Sequence, residues 1–466
     1  MQNSRNHQAI YCTFESSLLD GVVNNLCGSP STGSISGNGS TVSVLDPEYS
    51  SSDSHDNDTL RHQLRELETV MMEPSDNSDT ESWQQLMELI SRGELRSVLI
   101  ACAKAVSDDD LLTAEWLISE LQQMVSVSGE PIQRLGAYML EGLIARLSSS
   151  GISIYNALNC KEPTGGELLS YMQLLYEICP YFKFGYMSAN GAIADALKNE
   201  DKIHIIDFQI AQGSQWVSLI QALAARPGGP PRVRITGIDD TTSEYARGGG
   251  LNLVGERLSQ LANSCNLPFE FHAAALSFSP EVQLPNIVLK PEEALAVNFP
   301  FRLHHIPDES VGPENHRDTL LRLVKSWSPK VVTLVEYELN TNTAPFFPRF
   351  LESLNYYSAI FESINATLPR DHRERINVEQ HCLAREIVNI IACEGAERFE
   401  RHELHGKWRS RFSMAGFRPY PLSPLVNATI RTLLQKYSSS YGLEERDGAL
   451  YLGWMNRALV TSCAWK

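Results

Sequence analysis

Two acidic residues stand where a Rossmann-like enzyme would hold its cofactor. Asp207 ends the apolar run Ile203–Ile206, and Asp239 ends a second apolar run that starts at Val233. Each run has the length of a buried strand, and nucleotide ligands bind at the edge formed by the carboxyl ends of parallel strands. An acid there commonly binds ribose hydroxyls. The pair therefore raises one enzymatic interpretation, a small-molecule methyltransferase that uses S-adenosylmethionine.

The turn after Asp207 lacks the glycines that such a ligand needs. Gly213 is the single glycine before Trp216, whereas loops that cradle a dinucleotide or a methyl donor use several, so that the backbone can approach the ligand. Asp207 and Asp239 are also 32 residues apart, against roughly 20 in the dinucleotide fingerprint. We therefore predict that no cofactor is bound and that Asp207 caps the turn that follows it.

Histidines could supply a catalytic base or metal ligands. His304 and His405 each have a histidine nearby, His305 and His402 respectively. The first pair follows a predicted strand end, where a general base could lie, but no motif ties an acid or a nucleophile to it. The second pair is spaced by one helical turn, and no third ligand is evident. The sequence thus predicts neither a catalytic residue nor a metal site.

Two further stretches of the sequence each allow more than one interpretation. Asn298–Phe301 resembles the strand-four substrate motif of some amino-group methyltransferases, and a strand end closed by Pro300 is the other interpretation. The charged residues from Arg398 to Arg411 favour a solvated helix face, with a partner surface or a nuclear-import signal as the alternatives.

Hydrophobic periodicity predicts the elements that would position these residues. From residue 203 onward, apolar runs of strand length alternate with helical stretches, which indicates a mainly parallel sheet covered by helices. Residues 84–151 have helical spacing throughout and predict a bundle or cap. Short strand candidates at Phe412–Pro421 and Ala449–Trp454 predict an antiparallel edge on the sheet.

Composition narrows the class of protein. The chain has 466 residues and a net charge of −17, of which residues 1–80, with three arginines, no lysine and twelve acidic residues, contribute −9. This acidic, Ser/Gly-rich composition predicts a disordered segment over 1–83. Direct DNA binding is disfavoured because no strongly basic segment is present. No apolar run approaches the roughly 18 residues of a membrane helix. Nine cysteines without a Cys-x-x-Cys pair indicate a reduced cytosolic or nuclear protein.

Several motifs, taken in order, resemble those of the GRAS family of plant transcriptional regulators. Its Val-His-Ile-Ile-Asp signature is similar to Ile203, His204, Ile205, Ile206 and Asp207, with isoleucine in place of valine. The leucine-rich stretches on either side are also similar. Further resemblance, to the family's Pro-Phe-Tyr-Arg-Glu and Ser-Ala-Trp regions, lies in Tyr356-Tyr357, Arg385-Glu386, Asn389–Gly395, Leu452–Trp454, Arg457 and Ser462–Trp465, where Cys463 replaces serine.

The resemblance implies a GRAS domain over 84–466 and a fold. The fold would be a methyltransferase-like Rossmann core with an N-terminal helical cap, preceded by the disordered segment. In the family's order, the domain would comprise leucine repeat I at 93–153, the region around the signature at 172–237, leucine repeat II at 253–285, the Pro-Phe-Tyr-Arg-Glu region at 294–388 and the Ser-Ala-Trp region at 391–466.

It also implies a function, that of a non-enzymatic co-regulator acting in the nucleus, with the cytoplasm as a second compartment. Partners would be other transcription factors, co-regulators and family members in homo- or heterodimers, with DNA contacted indirectly and no membrane. The motifs are closest to the branch associated with phytochrome light signalling and stress. The methyltransferase and a direct DNA binder remain alternatives. Structural or interaction roles are expected for Leu117, Leu121, Arg385, Glu386, Trp454, Arg457 and Trp465.

Overall fold

A mixed sheet lies at the centre of the fold in a computed structural model, which describes residues 78–148, 163–240, 250–276, 287–369 and 372–466. Its strands are β1 (Lys202–Asp207), β2 (Arg232–Asp240), β3 (Phe269–Leu276), β4 (Ala294–Pro300), β5 (Val331–Tyr337), β6 (Pro419–Tyr420), β7 (Tyr441–Arg446), β8 (Ala449–Trp454) and β9 (Arg457–Trp465). The order is β3-β2-β1-β4-β5-β9-β8-β7, with β6 paired to β9. Strands β1 to β5 are parallel, and β9, β8 and β7 continue the sheet in antiparallel pairs.

This strand order confirms the predicted methyltransferase-like Rossmann core. The parallel 3-2-1-4-5 half places the carboxyl ends of β1 and β4 side by side, and the antiparallel edge that the tail predicted is present. In β1, Ile203 and Ile205 pack into the core on one face of the sheet, and Ile206 packs into the core on the other. A strand that is buried on both faces is a continuous apolar run in sequence, which is why β1 could be predicted.

Helices cover both faces of the sheet and build a cap. Within the described residues, none is long and apolar enough to cross a membrane. The helices that precede β1 are α1 (Ser78–Ser91), α2 (Leu95–Ser107), α3 (Leu111–Met124), α4 (Pro131–Leu147), α5 (Gly165–Ile178) and α6 (Tyr181–Ala196). Those that follow it are α7 (Ser214–Ala224), α8 (Gly250–Ser264), α9 (His316–Ser326), α10 (Phe346–Asn365), α11 (Arg373–Val378), α12 (Ala384–Ala392), α13 (His405–Met414) and α14 (Pro424–Leu434).

The cap consists of the N-terminal helices α1 to α4, and α4 packs against α12 and the residues before it. Helix α4 approaches α12 so closely that a Cβ added at Gly142 would lie 3.0 Å from the Cβ of Ile391. Arg134 of α4 is fully buried and donates from Nε to Glu379 Oε1 at 3.1 Å. Apolar packing and a buried ion pair therefore hold α4 to the segment around α12.

Two boundaries differ from those that the sequence predicted, and part of one predicted segment lies outside the described residues. Helix α1 begins at Ser78, so residues 78–83 are helical, and the rest of the predicted segment 1–83 lies outside the described residues. The predicted strand at Phe412–Pro421 is wrong, because α13 continues to Met414 and only β6 remains of the strand. Trp408 and Phe412 are one helical turn apart and both are buried, which favours the helix. The subdivision of 84–466 stays a prediction.

Candidate functional site

The carboxylate of Asp207 lies buried at the carboxyl edge of the sheet and is bound by the protein itself. Its Oδ1 accepts from Gln209 N at 3.1 Å and from Asn298 Nδ2 at 3.3 Å. Its Oδ2 accepts from the Trp216 indole Nε1 at 2.8 Å. Burial raises the pKa of Asp207 to about 7, although these three donors act in the opposite direction. The predicted turn-capping role of Asp207 agrees with these contacts.

The side-chain amide of Asn298 is likewise hydrogen-bonded to its neighbours. Its Nδ2 also donates to Gln215 Oε1 at 3.0 Å, and its Oδ1 accepts from Thr333 Oγ1 at 2.7 Å. Gln215 in turn donates to Asn190 Oδ1 at 3.1 Å. In the substrate-motif interpretation these amide groups would face a ligand. Here they form a closed hydrogen-bonded network within the protein, which supports the alternative, a structural strand end.

Side chains of the loop after β1 fill the crevice beside Asp207. Ile210 is buried and its N donates to Ile238 O of β2 at 3.1 Å. Its Cγ1 lies only 2.9 Å from where a Cβ on Gly237 would stand. Phe208 stacks on Phe299 at a ring separation of 4.5 Å. Asp239, the second predicted ribose-binding acid, is buried beside this packed loop. The loop therefore occupies space that a cofactor would need.

The free space against the loop is small. Among the described residues, a cavity of about 30 Å³ lies between the loop at Ala211–Gln212 and the side chains of Met172, Tyr176 and Tyr186 in α5 and α6. One water molecule needs a volume of this order, whereas ligand pockets measure roughly 300–1,000 Å³. The arrangement can hold the turn rigidly, and this cavity is far smaller than the space that S-adenosylmethionine would need.

His204 of the signature is buried in the sheet and fully hydrogen-bonded. Its Nε2 lies 2.8 Å from Thr236 Oγ1, and Arg234 Nη2 donates to its Nδ1 at 3.1 Å. Arg234 also forms an ion pair with Glu293. Burial, followed by the charge of Arg234, lowers the pKa of His204 to about 3. The imidazole is thus a neutral link between neighbouring strands.

The charged stretch before α13 is buried, which corrects the prediction of a solvated helix face. Residues 398–404 have no regular secondary structure, and Arg398, Glu400, Arg401 and Glu403 are all nearly inaccessible. His402 and His405 are consequently not one helical turn apart on a helix. His405 begins α13 and lies 2.8 Å from the Tyr451 hydroxyl. Sequence reasoning missed this because alternating charge is the usual pattern of an exposed surface.

Two networks account for the buried charges. In the first, Arg411 donates to Asp308 Oδ2 at 2.8 Å and to Glu403 Oε2 at 2.7 Å, and Arg317 lies 3.3 Å from Glu403. Burial alone would raise the pKa of Asp308, but Arg317 and hydrogen bonds from Ser310 hold it at about 2. The fully buried guanidinium groups and carboxylates therefore compensate one another.

The second network contains His304, which the sequence left as half of an unassigned pair. His304 Nδ1 lies 2.6 Å from Glu336 Oε2, and the ring stacks on His402 at 4.3 Å. Burial lowers the pKa of both His304 and His402 well below the usual value, so both rings are neutral at physiological pH. His305 is half-buried and lies 3.2 Å from Glu400 Oε1. No local spacing in sequence predicts this cluster, because its halves are about a hundred residues apart.

The predicted interaction residues of the leucine repeat belong to the core. Leu117 and Leu121 of α3 are both fully buried, at 0% exposure. Core packing is therefore the correct interpretation of these two leucines, and the self-association face predicted for them is wrong there. The exposed apolar residues of the same helix are Leu111 and Leu112.

The predicted residues of the later regions are packed between elements. Tyr357 donates to the half-buried Glu386 at 3.0 Å, and burial raises the pKa of that carboxyl well above its usual range. Arg385 beside it is also half-buried. Trp454 donates to Glu362 at 3.3 Å, and Arg457 donates to Glu352 at 2.6 Å.

Trp465 is the large apolar anchor of β9. It is buried and stacks on Phe412 at 4.9 Å. Its indole Nε1 donates to Cys463 Sγ at 3.2 Å, so this polar group is paired within the strand. The described contacts of the Ser-Ala-Trp residues therefore connect β9 to α10 and α13.

Together these features define a protein of methyltransferase topology whose ligand crevice is packed with its own side chains. The chain belongs to the GRAS domain family, whose model matches residues 95–466. Its similarity to single members is high. "Scarecrow-like transcription factor PAT1" of Arabidopsis thaliana is 67% identical over 423 residues, which are 87% of this chain and 86% of the relative.

Other relatives have comparable similarity. "Scarecrow-like protein 5" of Arabidopsis thaliana is 66% identical, covering 90% of this chain and 73% of the relative. "Chitin-inducible gibberellin-responsive protein 2" of Oryza sativa subsp. japonica is 65% identical, covering 88% and 78%. The crystal structure of SCL7 from Oryza sativa superposes with a TM-score of 0.68 at 34% identity, covering 80% of this chain and 99% of that chain.

Proposed function

We propose that this chain is a plant transcriptional regulator that works in the nucleus as a non-enzymatic scaffold for other transcription factors and co-regulators. The observation that carries this proposal is the crevice at the carboxyl edge of the sheet, where Ile210 and the Asp207–Asn298 network occupy the ligand position. A relative at 67% identity is named as a transcription factor, which supports the same function.

The methyltransferase alternative is tested by ligand binding to the full chain. Asp207, Asn298 and Gln215 are already bound to one another, so they offer no free group to a methyl donor. Titration calorimetry with millimolar S-adenosylmethionine is expected to give no saturable heat. Saturable binding that S-adenosylhomocysteine displaces would contradict the scaffold proposal and favour the enzyme.

Direct DNA binding is the second alternative, and charge argues against it. Once the −9 of residues 1–80 is set aside, the remainder of the chain still carries −8. A protein that neutralises phosphates shows an affinity that falls steeply with salt. We expect the purified chain alone to give no salt-dependent, saturable shift with duplex DNA, and to associate with promoters only in the presence of a DNA-binding partner.

We propose that family members pair through the exposed apolar side of the cap. Met87 of α1 is 55% exposed and Leu112 of α3 is 82% exposed. Met87→Glu with Leu112→Glu is expected to give a folded protein of lower mass in sedimentation. Met455→Glu is the matched control, since Met455 is 68% exposed in the turn between β8 and β9. An unchanged mass in the double variant would place the contact elsewhere.

The upstream signal is proposed to be light or stress, because relatives carry names such as "chitin-inducible". Affinity capture from plant nuclei before and after each stimulus would test this. Comparing the full chain with residues 78–466 would show whether the acidic N-terminal segment selects partners. If the same partners were recovered under all conditions, neither light nor stress would be the signal that selects them.

A further inference from the structure

Three buried side chains away from Asp207 converge on one point. His304 lies in the short turn after β4, and Glu400 and His402 lie in the irregular segment before α13. One possible ligand atom from each residue lies within 4.8 Å of the other two. Glu400 and His402 therefore both face His304.

The hydrogen bonds around the two imidazoles suit a proton on Nδ1 of each ring. His304 Nδ1 lies 2.6 Å from Glu336 Oε2, which accepts a hydrogen bond from it when it is a carboxylate. His402 Nδ1 lies 3.0 Å from Thr341 Oγ1, whose own hydroxyl donates to the Glu400 carbonyl at 3.2 Å. With the protons on Nδ1, each ring presents a lone pair on Nε2.

Both Nε2 atoms lie beside the same carboxylate oxygen. Glu400 Oε2 lies 3.5 Å from His304 Nε2 and 3.5 Å from His402 Nε2. Neither Glu400 Oε2 nor His402 Nε2 has a hydrogen-bond partner, although both residues are buried. A buried group of acceptors without a donor among them is unfavourable. A cation at the centre would satisfy all three atoms at once.

We propose that His304, Glu400 and His402 bind a divalent transition-metal ion, and that the ion is Zn²⁺. Two imidazole nitrogens and one carboxylate oxygen form a zinc ligand set, whereas Mg²⁺ and Ca²⁺ prefer oxygen alone. Ligand atoms at tetrahedral zinc, with bonds of about 2.0–2.2 Å, are roughly 3.3–3.5 Å apart. The two distances of 3.5 Å to Glu400 Oε2 match that spacing.

The surroundings orient the ligands as in known metal sites. Zinc-bound histidines usually donate their second nitrogen to a carboxylate or another oxygen, and Glu336 and Thr341 receive these bonds here. His305 lies 3.2 Å from the other carboxylate oxygen of Glu400. The ion would connect the turn after β4 to the segment before α13. Its role is structural, with a water molecule as the fourth ligand.

Metal content and stability of the full chain test the proposal. Tag-free protein, stripped with a chelator and dialysed, is expected to bind one equivalent of Zn²⁺ per chain by calorimetry. The bound ion should raise Tm, since a ligand that binds only the folded state stabilises it. Chelator should reverse the rise. Folded protein that binds no Zn²⁺ in titration would contradict the proposal.

Substitutions locate the ion. His402→Asn keeps a side-chain N–H near the position of Nδ1 and removes Nε2, so it should abolish the saturable Zn²⁺ binding and the rise in Tm. His405→Asn is the matched control: His405 is buried three residues further on and is bonded to Tyr451, outside the cluster. It should bind zinc as the unchanged chain does. Undiminished binding by His402→Asn would place the ion elsewhere.

Cobalt provides a readout that needs no variant. If His402→Asn does not fold, Co²⁺ added to the stripped, unsubstituted protein decides the matter. One equivalent should produce visible absorption bands of a four-coordinate nitrogen–oxygen site, which Zn²⁺ displaces. A spectrum of free, octahedral Co²⁺ throughout the titration would overturn the proposal.

Discussion

The indole Nε1 of Trp216 donates to Asp207 Oδ2 at 2.8 Å, which ties the first turn of α7 to the end of β1. Both residues are buried, with exposures of 0% and 1%. The acid that would serve a cofactor in an enzyme of this topology is thus used to hold the turn. This relationship makes the role of Asp207 measurable through stability.

We expect Asp207→Asn to destabilise the fold by about 1–3 kcal/mol. Both carboxylate oxygens accept hydrogen bonds from donors of Trp216, Gln209 and Asn298. The new amide group would direct its own N–H donors at one of these donors. A buried polar group left without a partner costs about this much free energy. Urea unfolding of the full chain measures the change. Asp201→Asn is the control, because the Asp201 side chain is 96% exposed. Equal stability of the two variants would show that the hydrogen bonds around Asp207 contribute nothing measurable to the free energy of unfolding.

His204 should make stability depend on pH. Its pKa is about 3 in the folded chain, below the ordinary 6.5, so the unfolded state binds more protons between these values. The stabilisation is present above pH 6.5 and is lost as pH falls toward 3. His204→Gln should reduce the acid-side slope by up to about 1.4 kcal/mol per pH unit. Denaturant titrations from pH 7 to 4 measure the slope. The same flattening in the exposed His272→Gln would argue against His204 as the cause.

The two leucine positions of α3 should behave oppositely. Leu117→Ala removes a fully buried side chain, and such changes cost about 2–5 kcal/mol. At a protein concentration low enough to keep the chain monomeric, Leu112→Ala changes an 82% exposed side chain and should alter the free energy of unfolding by no more than about 0.5 kcal/mol. Urea unfolding compares the two variants directly. A large cost for Leu112→Ala in a monomer would mean that this surface is covered within the chain.

Removing the charge of Arg411 should lower the free energy of unfolding by about 3–5 kcal/mol, because Asp308 and Glu403 would lose a buried partner. The test is Arg411→Met, compared by thermal unfolding with Arg409→Met, whose side chain is 51% exposed. Arg409→Met should change stability little. If Arg411→Met were as stable as the unchanged chain, apolar packing alone would hold this region.

Sequence patterns predicted what depends on local spacing. The apolar runs around Ile205 and Val297 predicted strands because those strands are buried on both faces, and Asp207 at the end of such a run predicted the turn that its carboxylate holds. The His304–His402 stack and the Arg411 network could not be predicted, since their members come from distant parts of the chain. Leu117 shows the remaining ambiguity, because a helical stripe has the same spacing whether it faces the core or a partner.

The position of β9 has a consequence for how the protein is made. This strand pairs with β5, and about 120 residues separate the end of one from the start of the other. At about 5–20 residues per second, the ribosome needs roughly 6–24 s to add them. Until then the edge of β5 presents unpaired backbone groups, which another chain could pair with. Chains stalled before residue 457 should therefore remain sensitive to protease, whereas a released chain becomes resistant.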